Sequence, residues 1–183
     1  MPSKSLSGKR LVAVGAAVIA VVALGIFLAF AFVGRKQLVR ASLLSEGRRR
    51  LGDFGEGVAH CATTGKLPPS SPLVPADFSL LAGAGYRTTK SDWQAEAFTC
   101  AHFAPTDATC HYQFRWIRQS DDTGIVQAYG DIDRDEKPDT EMTAPIRCID
   151  RPPKPEENAG SATTVRECGV GPVQEEAITA VPR

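Results

Sequence analysis

Five cysteines are the side chains of this 183-residue sequence that most readily predict covalent chemistry, and all of them follow residue 60. Cys100 and Cys110 stand ten residues apart around a predicted turn, which favours a disulfide across a hairpin. Cys148 and Cys168 bracket a proline-rich loop of twenty residues, and a disulfide there would contribute about 3 kcal/mol in the chain-entropy treatment. Cys61 is then left over, and an odd number of cysteines leaves other pairings open.

Zinc binding and catalysis are the rival uses of these cysteines. The sequence has no C-x-x-C pair, and His102 and His111 stand beside or near a cysteine along the chain, which suits a strand better than a tetrahedral zinc site. It also lacks G-x-S-x-G, H-E-x-x-H and a glycine-rich phosphate loop with lysine. A cysteine nucleophile assisted by a histidine is conceivable, but disulfides account for the same thiols better. We therefore expect a protein that is not an enzyme.

An acidic stretch has the D-x-D-x-D spacing of a calcium loop, with a fourth aspartate at relative position nine. The EF-hand pattern also needs glycine at position six and glutamate at position twelve, where this sequence has Glu136 and Met142. The alternative is a solvated acidic turn after a strand. The stretch is thus a weak calcium candidate, and no other cofactor is expected. Its candidate ligands are Asp131, Asp133, Asp135 and Asp139.

Four aromatic residues have two interpretations. They could line a ligand groove, but large aromatic side chains of this kind are more typical of the core of a small sheet packed on a helix. We expect the second arrangement. The residues are Trp93, Phe98, Phe114 and Trp116.

Residues 11–34 contain no charged or strongly polar side chain. As a helix they would measure about 36 Å, enough to cross a hydrocarbon layer of about 30 Å. A cleaved secretory signal is the alternative, because Ala29-Phe30-Ala31 resembles a cleavage site, and cleavage there would release a secreted protein. The apolar run is longer than a signal needs. We therefore predict an uncleaved transmembrane helix that follows a cytoplasmic N-terminus at residues 1–10.

The formal net charge of zero argues against a nucleic-acid partner. It combines a net charge of +6 over residues 1–60 with −6 over residues 61–183. Because the basic flank after the apolar run is the larger, the positive-inside rule favours a cytoplasmic C-terminal domain. The cysteines favour an oxidising compartment instead. We give the cysteines more weight and predict a bacterial inner-membrane protein with its C-terminal domain in the periplasm.

The helix is predicted to continue over residues 35–62 and to end before Thr63. Four apolar residues fall near one helical face, although four glycines between residues 47 and 57 weaken the pattern. We expect the lower half of this spine to pack on a small sheet; the alternative is a solvated juxtamembrane stalk. The four apolar residues are Leu38, Ala41, Leu44 and Leu51.

Residues 63–150 are predicted to form a small antiparallel sheet domain, and residues 151–183 a proline-rich, largely irregular tail. The domain begins with a proline-rich loop, Lys66–Pro75. The predicted hairpin joins Tyr112–Ile117 to Gly124–Tyr129 through a turn of polar residues. The two further predicted strands are Ala97–Phe103, paired with the first strand of the hairpin, and Glu141–Ile149, interrupted by Pro145.

This order of elements resembles type IV pilins and the pseudopilins of type II secretion. Gly124-Ile-Val-Gln-Ala-Tyr-Gly-Asp-Ile-Asp-Arg-Asp135 is similar to the A-x-G-D-L-D-G-D-G stretch of pilin-like proteins of delta-proteobacterial type. Ser45-Glu46 is similar to the Ser-Glu-Ala segment of pilin helices, and the Cys148–Cys168 loop to the disulfide-closed loop near many pilin C-termini. The resemblance covers roughly residues 11–150.

The resemblance implies an α+β fold in which a long N-terminal transmembrane helix packs on a small antiparallel sheet. It further implies a structural or accessory role in a type IV pilus or a type II secretion-like system, with other pilin-like subunits as partners through the N-terminal helix. In pseudopilin relatives, acidic loops can hold calcium. A membrane-anchored periplasmic ligand-binding or sensor module is the alternative function.

The sequence departs from the pilin pattern at the processing site. Pilins carry a glycine followed by Phe or Met, and then a glutamate five residues into the apolar run. Here Gly8 precedes Lys9, Gly15 precedes Ala16, and residues 11–34 contain no glutamate. This indicates an unprocessed, pilin-like accessory protein that an intact anchor holds in the membrane.

Overall fold

The structure is a computed structural model with two compact units, Met1–Ser42 and Leu43–Arg183. Side chains are described from residue 21 onward, Ala29 excepted. The described parts of the chain are residues 8–81, 85–105, 109–132, 137–152 and 164–178.

One helix, α1, extends from Gly8 to Thr63. No proline lies between these bounds, and alanine, leucine and arginine, which favour helices, are frequent in it. The predicted end before Thr63 is therefore correct to within a residue. Within the second unit, four α1 residues spaced three or four apart are fully buried and form the apolar face of an amphipathic helix. They are Leu51, Phe54, Val58 and Ala62.

Among the described residues of the second unit, seven strands follow α1, and a short helix, α2, lies between the first strand and the other six. A four-stranded path has the order β3-β4-β5-β6, β7 pairs with β5, every pairing is antiparallel, and β1 and β2 form a separate two-stranded sheet. The elements are β1 (Tyr86–Arg87), α2 (Glu96–Cys100), β2 (Thr109–Cys110), β3 (Tyr112–Arg118), β4 (Thr123–Gly130), β5 (Thr140–Arg151), β6 (Val165–Val170) and β7 (Gln174–Ala177), with 3₁₀ turns at Phe78–Leu81 and Lys90–Trp93.

The core lies between the buried face of α1 and one face of the sheet. Alternate residues of the central strands point to it, as the two-residue period of a strand requires. The predicted β3–β4 hairpin and the antiparallel α+β class are thereby confirmed. The buried sheet residues include Phe114, Trp116, Val126, Ala128, Met142, Ala144 and Ile146.

The proline-rich loop covers the outer edge of β3. Val74 and Phe114 exchange two backbone hydrogen bonds of 2.9 Å, and the Ser71 N–H donates to the carbonyl oxygen of Trp116 at 2.9 Å. The Trp116 indole N–H donates to the carbonyl oxygen of Pro68 at 2.9 Å. The loop thus pairs backbone groups that an open strand edge would leave to solvent or to another chain.

The predicted strand at Ala97–Phe103 is wrong. Residues 96–100 form helix α2, which buries Ala97 and Phe98 and leaves Glu96 and Thr99 exposed. A strand would have placed Ala97 and Phe98 on opposite faces, whereas one helical turn places both in the core.

The predicted irregular tail is also wrong in part, because β6 and β7 form the edge of the sheet. Their side chains are half-buried or exposed, so no run of apolar residues indicates them. Pro145 does not interrupt β5, since it lies opposite the break between β6 and β7, where its carbonyl oxygen accepts the Gly171 N–H at 2.7 Å. A proline opposite such a break removes no hydrogen bond from the strand ladder.

Two glycines allow α1 to lie close to the rest of the second unit. A Cβ at Gly47 would come within 2.5 Å of Cζ of Tyr112, and a Cβ at Gly57 would overlap the carbonyl oxygen of Ala101. Gly52, in contrast, has no atom within 4 Å of the position of a Cβ. The glycines that weaken the helix pattern in the sequence are therefore partly packing positions.

We predict opposite effects for two alanine substitutions in α1. Gly57→Ala should lower the free energy of unfolding by about 1–3 kcal/mol, because the new methyl group overlaps backbone atoms that cannot move away freely. Gly52→Ala, the matched control, should raise it by up to about 1 kcal/mol through helix propensity alone. Urea denaturation of the full-length protein in detergent micelles measures both; equal effects would contradict this packing.

Candidate functional site

Residues 21–34 of α1 are apolar on every side of the helix. Large apolar residues from Val21 to Val39 are 42–75% exposed, with Phe30 at 75% and Leu38 at 73%. The helix is long and apolar enough to cross a membrane, with a mean hydropathy of 1.6 over its most apolar stretch. An apolar surface of this extent is much larger than the patches that soluble monomers expose, so it is the leading candidate for a functional surface.

Three exposed cations follow the apolar run at once: Arg35, Lys36 and Arg40. Lys36 Nζ lies 4.8 Å from the centroid of the Phe32 ring, within the range of a cation–π contact. In the described part of the chain, no carboxylate forms an ion pair with any of the three. The end of the apolar segment therefore carries a concentrated positive charge.

The arginines further along α1 are paired differently. Arg50 is 7% exposed, and its Nη2 lies 2.7 Å from Oε1 of Glu46 one turn earlier. Its Nε and Nη1 have no hydrogen-bond partner among the described atoms. Since removing one partner of a buried ion pair leaves an uncompensated charge, the pair is a structural element of the second unit. Sequence reasoning missed it, although the four-residue spacing of Glu46 and Arg50 signals it.

Tyr112 reaches into α1 beside Gly47. Its hydroxyl donates a hydrogen bond of 2.7 Å to the backbone carbonyl oxygen of Leu43. Burial raises the pKa of the Tyr112 phenol well above its ordinary value, and the nearby carboxylate of Glu46 raises it further. The hydroxyl is thus held in its protonated, hydrogen-bond-donating form.

This pKa shift predicts loss of stability in alkali. A phenol whose folded-state pKa is raised contributes fully below its unfolded pKa of about 10, and the contribution disappears as the pH rises above that value. We expect the urea concentration at the unfolding midpoint to decrease as the pH rises above 10. Tyr112→Phe should make this decrease smaller, and it should lower the free energy of unfolding at pH 7 by about 1 kcal/mol. Tyr86→Phe should reduce the fall less, because the Tyr86 side chain is only half-buried although its phenol pKa is also raised. An equally steep fall in Tyr112→Phe and the parent would contradict the assignment.

The structure has two disulfides. Cys61–Cys100 joins the C-terminal end of α1 to α2, with Cα atoms 5.8 Å apart. Cys148–Cys168 joins directly opposed residues of β5 and β6, with Cα atoms 4.0 Å apart, and is the pairing expected from the sequence. Cys110 is a free, buried thiol, and burial raises its pKa.

The expected Cys100–Cys110 disulfide is wrong. It assumed that the two cysteines face each other across a hairpin, but Cys100 ends a helix that packs beside the end of α1. Cys61, which the sequence left unpaired, is the partner of Cys100. The spacing of cysteines along the chain could not reveal this, because the pairing spans 39 residues.

We predict which cysteines of the native protein are disulfide-bonded and which one is a thiol protected from reagents. Peptide mapping without reduction should recover peptides that link Cys61 to Cys100 and Cys148 to Cys168. Cys110 should resist maleimide in the folded protein and react once urea unfolds it, because its thiol is buried. Rapid labelling of Cys110 in the native state, or a Cys100–Cys110 peptide, would contradict the structure.

The acidic stretch falls partly outside the described residues, which include Asp131 and Asp139 but not Asp133 or Asp135. Asp139 Oδ1 accepts the Ile132 N–H at 3.2 Å, and the Asp139 N–H donates to the carbonyl oxygen of Gly130 at 3.0 Å. Asp139 therefore stabilises the chain reversal between β4 and β5. Among the residues with described positions, no group of three or more metal-binding side chains comes together.

The four aromatic candidates lie in the core. Trp93 is 2% exposed, and the other three are fully buried. The rings of Trp93 and Phe98 meet edge to face with centroids 5.0 Å apart. These residues stabilise the second unit and do not line a groove open to solvent.

Comparisons of the chain with protein-family models, with curated proteins and with solved structures found no match. The proposal below therefore depends on the residues and their geometry.

Proposed function

We propose that this chain is a pilin-like structural or accessory protein of a type IV pilus or a type II secretion-like system. Residues 11–34 of α1 anchor it in the bacterial inner membrane, and the domain that begins at Leu43 lies in the periplasm. Other pilin-like subunits are its partners, through their own apolar helices. The protein has no catalytic activity and binds no nucleic acid.

The observation that carries this proposal is the change of hydrophobic pattern along one continuous helix. Between residues 21 and 39 the large apolar side chains of α1 are exposed, whereas from Leu51 onward they are buried against the sheet. A protein that is wholly surrounded by water does not need the first pattern. A subunit whose helix packs among lipids or other apolar helices requires it.

The cysteines support a periplasmic domain. Two disulfides lie within the second unit, and disulfides persist in oxidising compartments. The alternative of a ligand-binding or sensor module gains no support from the aromatic residues that suggested it, since all four are buried.

We predict that the full-length protein resists extraction by alkaline carbonate from bacterial membranes. Val22→Arg/Ile26→Arg should release it, because each arginine at the centre of a spanning helix costs about 2.5–3.5 kcal/mol. Leu38→Arg/Ala41→Arg, the matched control outside residues 11–34, should stay in the membrane. Protease should digest the domain in spheroplasts and not in intact cells. Release of the parent protein, or a mature N-terminus near Phe32, would refute the anchor.

The pilin-like role has its own test in the same membranes. Val33→Cys, on the exposed apolar surface, should form an oxidative disulfide cross-link to a second copy of the same variant, or to a pilin subunit that carries an introduced cysteine in its apolar helix, if the helices pack side by side. Lys90→Cys, exposed on the second unit, is the matched control for random collision. Cross-linking of Lys90→Cys alone, or of neither variant, would refute helix-mediated assembly and leave only an anchored domain.

A further inference from the structure

The cations next to the apolar run differ from those further along α1. Arg35, Lys36 and Arg40 are exposed, and within the described residues none has a carboxylate partner. No acidic residue occurs between positions 11 and 45, so the helix offers them none of its own.

The next three arginines are all neutralised. Each forms an ion pair with a carboxylate of the second unit. The pairs are Arg48–Glu175, Arg49–Asp53 and Arg50–Glu46. Carboxylates of the second unit therefore neutralise the arginines of that unit, whereas the first unit, which contains Arg35, Lys36 and Arg40, has no acidic residue in its sequence.

The spacing of the unpaired cations suits a lipid surface. Phe32, Lys36 and Arg40 follow one another at intervals of four and therefore share one face of α1. At 1.5 Å per residue, Lys36 lies about 3 Å and Arg40 about 9 Å beyond Gly34. The headgroup region is about 5–8 Å deep on each side of the hydrocarbon layer, and a long cationic side chain can bend back toward it. The Lys36 Nζ lies 4.8 Å from the centroid of the Phe32 ring, so the cation is held beside the end of the apolar run.

We propose that Arg35, Lys36 and Arg40 form a binding site for the phosphate groups of anionic phospholipids. The inference rests on the proposed membrane anchor. Each such cation contributes about 1 kcal/mol of attraction to an anionic membrane surface, so three should raise the affinity for anionic over zwitterionic lipid on the order of 100-fold.

Native mass spectrometry of the full-length protein, titrated with phosphatidylglycerol or phosphatidylcholine in detergent, tests the site. The triple variant Arg35→Gln/Lys36→Gln/Arg40→Gln should lose the preference for phosphatidylglycerol. The control Arg48→Gln/Arg49→Gln/Lys66→Gln removes the same charge from exposed positions and should retain it. High salt should weaken the parent's preference, since the contact is exposed.

An equal loss in both variants, or no preference in the parent, would overturn the lipid site. Incorporation of every protein into nanodiscs is scored separately. If the parent does not incorporate, the anchor fails and the lipid site fails with it. If all incorporate and the first variant still prefers phosphatidylglycerol, the lipid site alone is refuted.

Discussion

One helix carries two incompatible hydrophobic patterns, and the rest of the structure follows from this constraint. The apolar residues of α1 lie on every side of the helix between residues 21 and 34 and occupy a single face from Leu51 onward. Over residues 21–34 the first pattern leaves no polar side of the helix to face water. It needs lipid or other helices, whereas the second needs only the sheet.

The second unit buries the apolar face of α1 by close packing. Glycines at positions 47 and 57 let Tyr112 and Ala101 approach the helix more closely than any side chain at those positions would allow. The Tyr112 hydroxyl then bonds to the helix backbone, and the Cys61–Cys100 disulfide fastens the end of the helix to α2. A domain of about 140 residues has a small core, so such cross-links contribute a large share of its stability.

The sequence predicts those parts of the fold that depend on neighbouring residues, and it fails where residues far apart along the chain come together. The apolar run and the β3–β4 hairpin are local patterns, and the structure has a long helix and that hairpin where the sequence predicts them. The register of β6 on β5 is not local, and its half-exposed side chains leave no apolar alternation to read. Helix α2 is too short for a full helical period, so its two buried residues pass for part of a strand. The expected Cys100–Cys110 disulfide assumed a strand in this segment and is therefore wrong, since Cys100 pairs with Cys61.

The flanking charges bear on orientation once they are counted by distance from the apolar run. Within seven residues of residues 11–34 there are three cations before it and three after it: Lys4, Lys9, Arg10, Arg35, Lys36 and Arg40. The excess on the C-terminal flank comes from Arg48, Arg49 and Arg50, which lie further away and pair with carboxylates. The positive-inside rule counts Lys and Arg within about 15–20 residues of the span, so the two flanks are even within seven residues but the C-terminal flank remains the larger over the full window. The charge count and the disulfides therefore point in opposite directions, and the proposed periplasmic domain depends on the two disulfides, which persist in oxidising compartments.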